Sequence, residues 1–272
     1  MSSAIEEIEK HSQNNNVDRQ SIIVPSSKWV RVYFGGKLIA DSRHVILLRL
    51  SDHALIYYFP KDDVRMEYLE KSSFTTQSPI MGSASYWNVR VGDQLAENAA
   101  WDLVEPFSDG HNLEGFFAFD WAKMEAWFEE DEEVFVHPRD PFHRIDVIHS
   151  SRHIRVVVGG ETVAETQRPV LLFETGLPTR YYLPKLDVRM ELLVPSDTHT
   201  GCPYKGTASY YSLKVGNQFY PDIAWYYPFP YPDMGKIQNL ISFYDEWVEA
   251  VYVDGEKQEK PRTQWSQDHS KN

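Results

Sequence analysis

Shifted against itself by 124 residues, the chain falls into register from Val30 to Phe119, and about a third of the aligned positions are identical without a gap. Gly35-Gly36 lands on Gly159-Gly160, and Tyr57-Tyr58 lands on Tyr181-Tyr182. The run from Asp63 to Glu67 repeats from Asp187 to Glu191, Gly82-Ser83-Ala84-Ser85-Tyr86 repeats as Gly206-Thr207-Ala208-Ser209-Tyr210, and Ala100-Trp101 repeats as Ala224-Trp225. A repeat of this length makes each copy a domain in its own right rather than one unit of a solenoid. The expected order is a polar N-terminal segment over 1–20, a first β-domain over 21–133 and a linker over 134–150 that is stiffened by Pro138 and Pro141. A second β-domain over 151–255 and a charged tail over 256–272 follow, both chain ends being read as flexible.

Within each copy, alternating apolar runs are separated by short turns that carry glycine, the pattern of antiparallel hairpins. The strands expected in the first copy are Val30–Phe34, Lys37–Asp41, Val45–Leu50, Leu55–Phe59, Ala84–Val91 and Gln94–Ala99, with counterparts 124 residues on. After each sheet the apolar spacing changes: Phe116, Trp121, Met124 and Trp127 form a stripe that predicts an amphipathic helix, and Leu240–Val251 occupies the same place in the second copy. Val64–Leu69 and Val188–Val194 fit both periods and stay open between strand and helical turn. The fold class is therefore mainly β (α+β): two similar compact antiparallel β-domains, each followed by an amphipathic helix.

Composition narrows the function. Forty acidic against 27 basic residues leave a formal charge of −13, a field that repels phosphate backbones and anionic headgroups, so neither nucleic acid nor a membrane is an expected partner. No apolar stretch has the length of a membrane span, and the N-terminus has no apolar targeting core. Cys202 is the single cysteine, which excludes an intrachain disulfide and fits a reducing, cytoplasmic setting. A four-thiolate zinc site is likewise excluded, and no metal site is expected.

Several motifs in order identify a family. They include Glu174-Thr175-Gly176-Leu177-Pro178-Thr179-Arg180-Tyr181-Tyr182, Leu183-Pro184 leading to Asp187-Val188-Arg189-Met190, and Cys202-Pro203-Tyr204-Lys205-Gly206. Ala224-Trp225 and the linker His137-Pro138-Arg139-Asp140-Pro141 complete the set. The sequence resembles the domain-of-unknown-function 427 family in a two-copy arrangement, over roughly Val30 to Gly255. The resemblance implies a compact, mainly β fold and no assigned activity. A nucleotidyltransferase label sometimes attached to that family requires closely spaced carboxylates to hold two metals, and no Asp-x-Asp pair occurs in this chain. The Gly201–Thr207 stretch lacks the lysine that a phosphate loop carries after its second glycine.

The two copies differ most in one loop. Cys202, Tyr204, Lys205 and His199 face Ser78, Ile80, Met81 and Thr75, so reactive groups cluster in the second copy alone. Cys202 is a candidate nucleophile that His199 or Lys205 would activate, against the blander reading of a small buried hydrophobe. Lys205 suits an anionic substrate group or base chemistry. Tyr182, Tyr204, Tyr210 and Trp225 are candidate walls of a ligand pocket, although aromatic residues also fill small β-cores. Arg189 and Arg144 are candidate partners for a carboxylate or phosphate. Arg65 repeats Arg189 together with its Asp neighbour, which favours a structural ion pair there.

The expected function is thus a small-molecule-binding, possibly catalytic, site at the Cys202-Pro203-Tyr204-Lys205-Gly206 loop. The alternative is a non-catalytic tandem β-domain interaction or scaffold protein whose sheet edges or acidic surface meet a partner. The sequence leaves both the cofactor and the oligomeric state open.

Overall fold

Gly35 and Gly36, both at positive φ (+58° and +67°), make the two-residue turn that a twisted hairpin requires, and Gly159 and Gly160 repeat it at +59° and +78°. The Gly36 amide donates to Glu125 at 2.7 Å and the Gly160 amide to Glu249 at 2.7 Å, so even the turn's anchor is duplicated. The computed structural model describes residues 22–50, 54–78, 82–104 and 112–266. It divides into two units between Asp140 and Pro141.

In the first unit the strands are β1 (Ile22–Pro25), β2 (Val30–Phe34), β3 (Lys37–Ser42), β4 (Ile46–Leu50), β5 (Ala54–Pro60), β6 (Leu69–Ser78), β7 (Gly82–Val91), β8 (Gln94–Leu103), β9 (Phe116–Phe119), β10 (Ala126–Glu129) and β11 (Glu132–Glu133). They form a seven-stranded sheet in the order β1-β4-β5-β9-β8-β7-β6 and a four-stranded sheet in the order β11-β10-β2-β3. In the second unit they are β12 (Ile145–His149), β13 (Ile154–Val158), β14 (Glu161–Thr166), β15 (Val170–Glu174), β16 (Arg180–Tyr182), β17 (Leu193–Cys202), β18 (Gly206–Val215), β19 (Gln218–Tyr226), β20 (Ser242–Phe243), β21 (Ala250–Val253) and β22 (Glu256–Lys257). The large sheet is here two pieces, β12-β15-β16 and β17-β18-β19-β20, joined where Leu183 and Ile241 exchange backbone hydrogen bonds of 2.7 and 2.8 Å. All the ladder pairings are antiparallel. β12 follows Pro138 and Pro141 within the stretch 134–150, and it pairs with β15 as β1 pairs with β4.

The expected helix after each sheet is absent from the described residues. The stripe Phe116, Trp121, Met124, Trp127 is instead divided between β9, a single 3-10 turn over Trp121–Lys123, and β10. The reason is that β9 is buried on both faces: Phe117 and Phe119 belong to one core cluster, while Ala118 belongs to another with Phe116 packed against it. A strand of that kind reads as a continuous apolar run and lacks the alternation that separates strand from helix. Asp120 then ends the strand by accepting the Ala122 amide at 3.1 Å, and Trp121 stacks on Trp127 with ring centroids 4.4 Å apart. In the second copy Leu240–Val251 holds β20 and the start of β21. The two open segments resolve as short 3-10 turns, Met66–Tyr68 and Met190–Leu192, that lead into the ten-residue strands β6 and β17.

Each domain has two cores, one on each face of its larger sheet. In the second domain one contains Ile154, Val156, Leu183, Leu213, Ile241 and Phe243. The other gathers Tyr182, Tyr210, Trp225, Tyr227 and Tyr244 around Leu172 and Ile237. That aromatic side holds three of the candidate residues, Tyr182, Tyr210 and Trp225.

Candidate functional site

The aromatic core begins with a pair that both copies share. Trp225 donates its indole N–H to the Tyr182 hydroxyl at 3.1 Å, and Trp101 donates to Tyr58 at 3.1 Å. Tyr182 is 1% exposed and Tyr58 fully buried, and burial raises both phenols above their ordinary range. Because the first copy keeps this pair unchanged, it belongs to the fold. What the second copy adds is charge.

The Cys202–Gly206 hairpin is built by the register pair Cys202–Gly206, with Gly206 at φ +101°, where an added β-carbon would lie 3.3 Å from the Phe229 carbonyl oxygen. Lys205, in this turn, is only 9% exposed. Its ammonium donates to Glu174 Oε2 at 2.5 Å, and His143 Nε2 lies 3.0 Å from Glu174 Oε1. The His143 ring stacks on Tyr204 at 4.3 Å between centroids. Thus β15, the hairpin and the chain preceding β12 converge on one carboxylate whose side chain is 6% exposed. The negative charge of Glu174 also reaches the phenols of Tyr182 and Tyr227, adding to the burial that raises them. Cys202 stands two residues from Thr200 on β17, and Thr200 bonds Tyr210, so the half-buried Cys202 side chain lies on this side of the sheet.

A second charged group lies under the same aromatic rings. Arg180, on β16, makes a two-pronged pair with Glu246, at 2.8 and 2.6 Å, and both are almost fully buried. Burial opposes the Arg180 charge, but the hydrogen bonds to Glu246 and the field of Asp245 and Glu246 outweigh it and raise its pKa. Burial likewise opposes the Glu246 charge, and hydrogen bonds from Arg180 and Thr263 hold its carboxyl below the ordinary range. Asp245 Oδ2 stands 3.8 Å from the guanidinium, and its carboxylate has no hydrogen bond among the described residues. Burial pushes it up to about 7 against the pull of Arg180. Residues of the charged tail close over this group. Thr263 donates to Glu246 Oε1 at 2.6 Å, the Trp247 indole donates to the Trp265 carbonyl at 2.8 Å, and the Trp265 ring lies 5.6 Å from the guanidinium.

The expected site residues separate into those that meet and those that do not. Lys205, Tyr204, Tyr182, Tyr210, Trp225 and Cys202 all lie on the aromatic side, Tyr210 bonding Thr200 at 2.8 Å and Tyr244 at 3.4 Å. His199 is exposed and bonds Ser209 at 3.2 Å. Three residues from Cys202 on one strand, it projects from the opposite face. Arg189 is exposed and paired with Glu161 and Glu191, at 2.5 and 2.9 Å. Arg144 is exposed and paired with Asp146 at 2.9 Å. The first-copy positions Ile80 and Met81 lie outside the described residues. Among the described residues, no three His, Cys, Asp or Glu side chains converge as metal ligands, and no helix is long and apolar enough to cross a membrane.

Reading the loop alone misses Glu174, Arg180, Asp245 and Glu246 as members of this side. The same shift of 124 finds them, because they stand where the first copy has Leu50, Ile56, Trp121 and Ala122. His143 stands where it has Arg19.

No curated protein matches the chain. A family model described as a domain of unknown function (DUF427) matches it twice, over residues 22–130 and 146–254. The two matches begin and end on equivalent positions of the duplicated fold and together span most of the chain, which therefore belongs to the DUF427 family in tandem form.

Proposed function

We propose that the second domain binds a small anionic molecule beside the Cys202–Gly206 hairpin, with Lys205 as the group that meets it and Tyr204 and the aromatic core as its apolar surroundings. The observation that supports this reading is the buried Lys205–Glu174–His143 set. Taking an ion pair out of water costs several kcal/mol per charge before pairing returns it. The first copy has Leu50 and Met81 at the aligned positions of the sequence. Charges that only one copy carries, held in one buried cluster, support a binding or catalytic site.

The chemistry available is acid–base. Lys205 donates a hydrogen bond to Glu174, and an anionic ligand that displaces Glu174 from Lys205 leaves that carboxylate, beside His143, available as a base. Cys202 faces the same side and is the nucleophile within reach of that space. The first domain acts as a scaffold.

The test is thermal unfolding of the full chain with inorganic phosphate, succinate and pyruvate. It compares wild type with Lys205→Met/Glu174→Leu, which installs the residues of the first copy. At least one anion is expected to raise the wild-type Tm and not that of the variant. Equal shifts in both, or none in either, would overturn the reading.

A further inference from the structure

Glu174 divides its two oxygens between two basic side chains. Oε2 accepts from the Lys205 ammonium at 2.5 Å, and Oε1 lies 3.0 Å from His143 Nε2. The three side chains are 11%, 6% and 10% exposed for Lys205, Glu174 and His143, so they form one buried cluster. A carboxylate only accepts, so Nε2 keeps its proton whatever the charge of the ring. Nδ1 is then the nitrogen that gains or loses one, and it makes no hydrogen bond among the described residues that a proton would have to break.

The ring is held where it is by its neighbours. The Arg144 amide donates to Thr175 Oγ1 at 3.0 Å, the Thr175 amide donates to the Arg144 carbonyl at 3.0 Å, Ile145 pairs with Glu174 in register, and Tyr204 stacks on the imidazole. The charged groups around it are few. Glu174 comes from β15 and Lys205 from the hairpin, while Arg144 and Asp146 of its own segment pair with each other at 2.9 Å. The phenols of Tyr182 and Tyr227, which Glu174 also reaches, are raised by burial and stay neutral, and Cys202 lies on the same side of the sheet.

The charge of the cluster follows by counting. With the imidazole neutral, Lys205 and Glu174 cancel; with it charged, one positive charge is left over in a place where water does not screen it. A monoanion beside Lys205 balances the cluster only in the second state, and the Glu174 carboxylate that it displaces keeps the imidazolium as its partner.

We propose that His143 is the proton switch of the anion site: the site takes a monoanion when the imidazole is charged and releases it when the imidazole is neutral, so that ligand and proton bind together. This inference rests on the anion site proposed above and assigns its regulation. His143 meets Glu174 rather than the ligand, and its effect is read in the pH dependence of affinity.

The experiment is calorimetric titration of the full chain with sodium pyruvate, which stays a monoanion throughout, at about pH 5.5 and about pH 7.5, a range in which imidazole is the side chain that ordinarily changes charge. Wild type is expected to bind about tenfold more tightly at the lower pH. At about pH 7, two buffers of different ionisation heat are expected to show uptake of more than about half a proton per pyruvate. His143→Gln, which keeps an N–H for Glu174 and cannot charge, is expected to bind with the weaker affinity at both pH values. Asp245 also titrates in this range, at about 7, and Asp245→Asn is expected to leave the pH dependence unchanged. Pyruvate binding that is equally tight at both pH values, or a pH dependence that survives in His143→Gln, would overturn the switch and leave the anion site standing. No binding heat at either pH would overturn both.

Discussion

Replacing Glu246 with alanine leaves the Arg180 guanidinium, 5% exposed, without the carboxylate that takes both its prongs. Removing one partner of a buried ion pair costs about 3–5 kcal/mol, because the remaining charge is still out of water. For a unit of this size that lowers Tm by about 10–20 °C. The first copy shows the remedy: Ile56, at the position of Arg180, is 7% exposed in the equivalent core, and Ala122 stands at the position of Glu246. Arg180→Ile combined with Glu246→Ala is therefore expected to return to within about 1.5 kcal/mol of wild type, since apolar replacement of a buried pair is often neutral. The cycle closes with a coupling of about 2 kcal/mol or more in favour of the pair. Urea unfolding of the full chain, with amide exchange in β18 reporting the second domain, measures each corner. If the double variant loses as much as the sum of the singles, the pair contributes by packing alone and the electrostatic reasoning is wrong.

The pH dependence of stability carries the sign of Asp245. Its carboxyl sits at about 7 in the folded domain, above the ordinary value of about 4, so the folded state holds the extra proton between those limits. Stability from this group is complete below pH 4 and falls as pH rises toward 7, by up to about 1.4 kcal/mol per pH unit. Asp245→Asn removes that slope, and an unchanged slope refutes the assignment. Glu246, held below the ordinary range, has the opposite sign and loses its contribution only as the solution turns more acid. Gly206→Ala forces a side chain onto a backbone at φ +101° and brings it 3.3 Å from the Phe229 carbonyl. A loss of more than about 1 kcal/mol is expected by urea unfolding, whereas Gly216→Ala, with open space around it, loses less. Trp265→Ala removes the ring beside Arg180 and is expected to speed tryptic cleavage after Arg262 while β18 keeps its exchange protection. Equal loss of protection in both places would show that the tail residues are part of the core.

The duplication, the two-residue glycine turns and the strands that alternate were legible in the sequence. The same holds for the family, whose motifs lie largely in those strands and turns. The strands that escaped are those whose pattern is set by tertiary contacts. β9 is apolar throughout because both faces are covered, and its period is then no guide. β6 and β17 carry polar residues along much of their length and hold their place through pairing with β7 and β18. On the site, residue chemistry pointed to Lys205 and its aromatic neighbours. It could not separate His199 from Cys202, because a spacing of three joins side chains on a helix and parts them on a strand. Glu174 and Arg180 sit among residues that read as ordinary strand, and only the contrast with Leu50 and Ile56 marks them.

Closure of each domain has a consequence for how the chain comes off the ribosome. β2 waits about ninety residues for β10, which pairs Ala126 with Tyr33, and β13 waits about as long for β21, which pairs Val253 with Ile154. A nascent chain that has just released β10 soon releases β13, after β11 and β12, and β13 is the counterpart of the edge that β10 must find on β2. Two edges then compete for one closing strand, the setting in which tandem repeats exchange segments and misassemble. The pairs differ in shape: Trp127 lies opposite Val32 in the first domain, and Val251 lies opposite Val156 in the second. A bulky ring in one closing strand and a small branched side chain in the other give each edge a reason to accept its own partner, so divergence between the copies guards the folding of both.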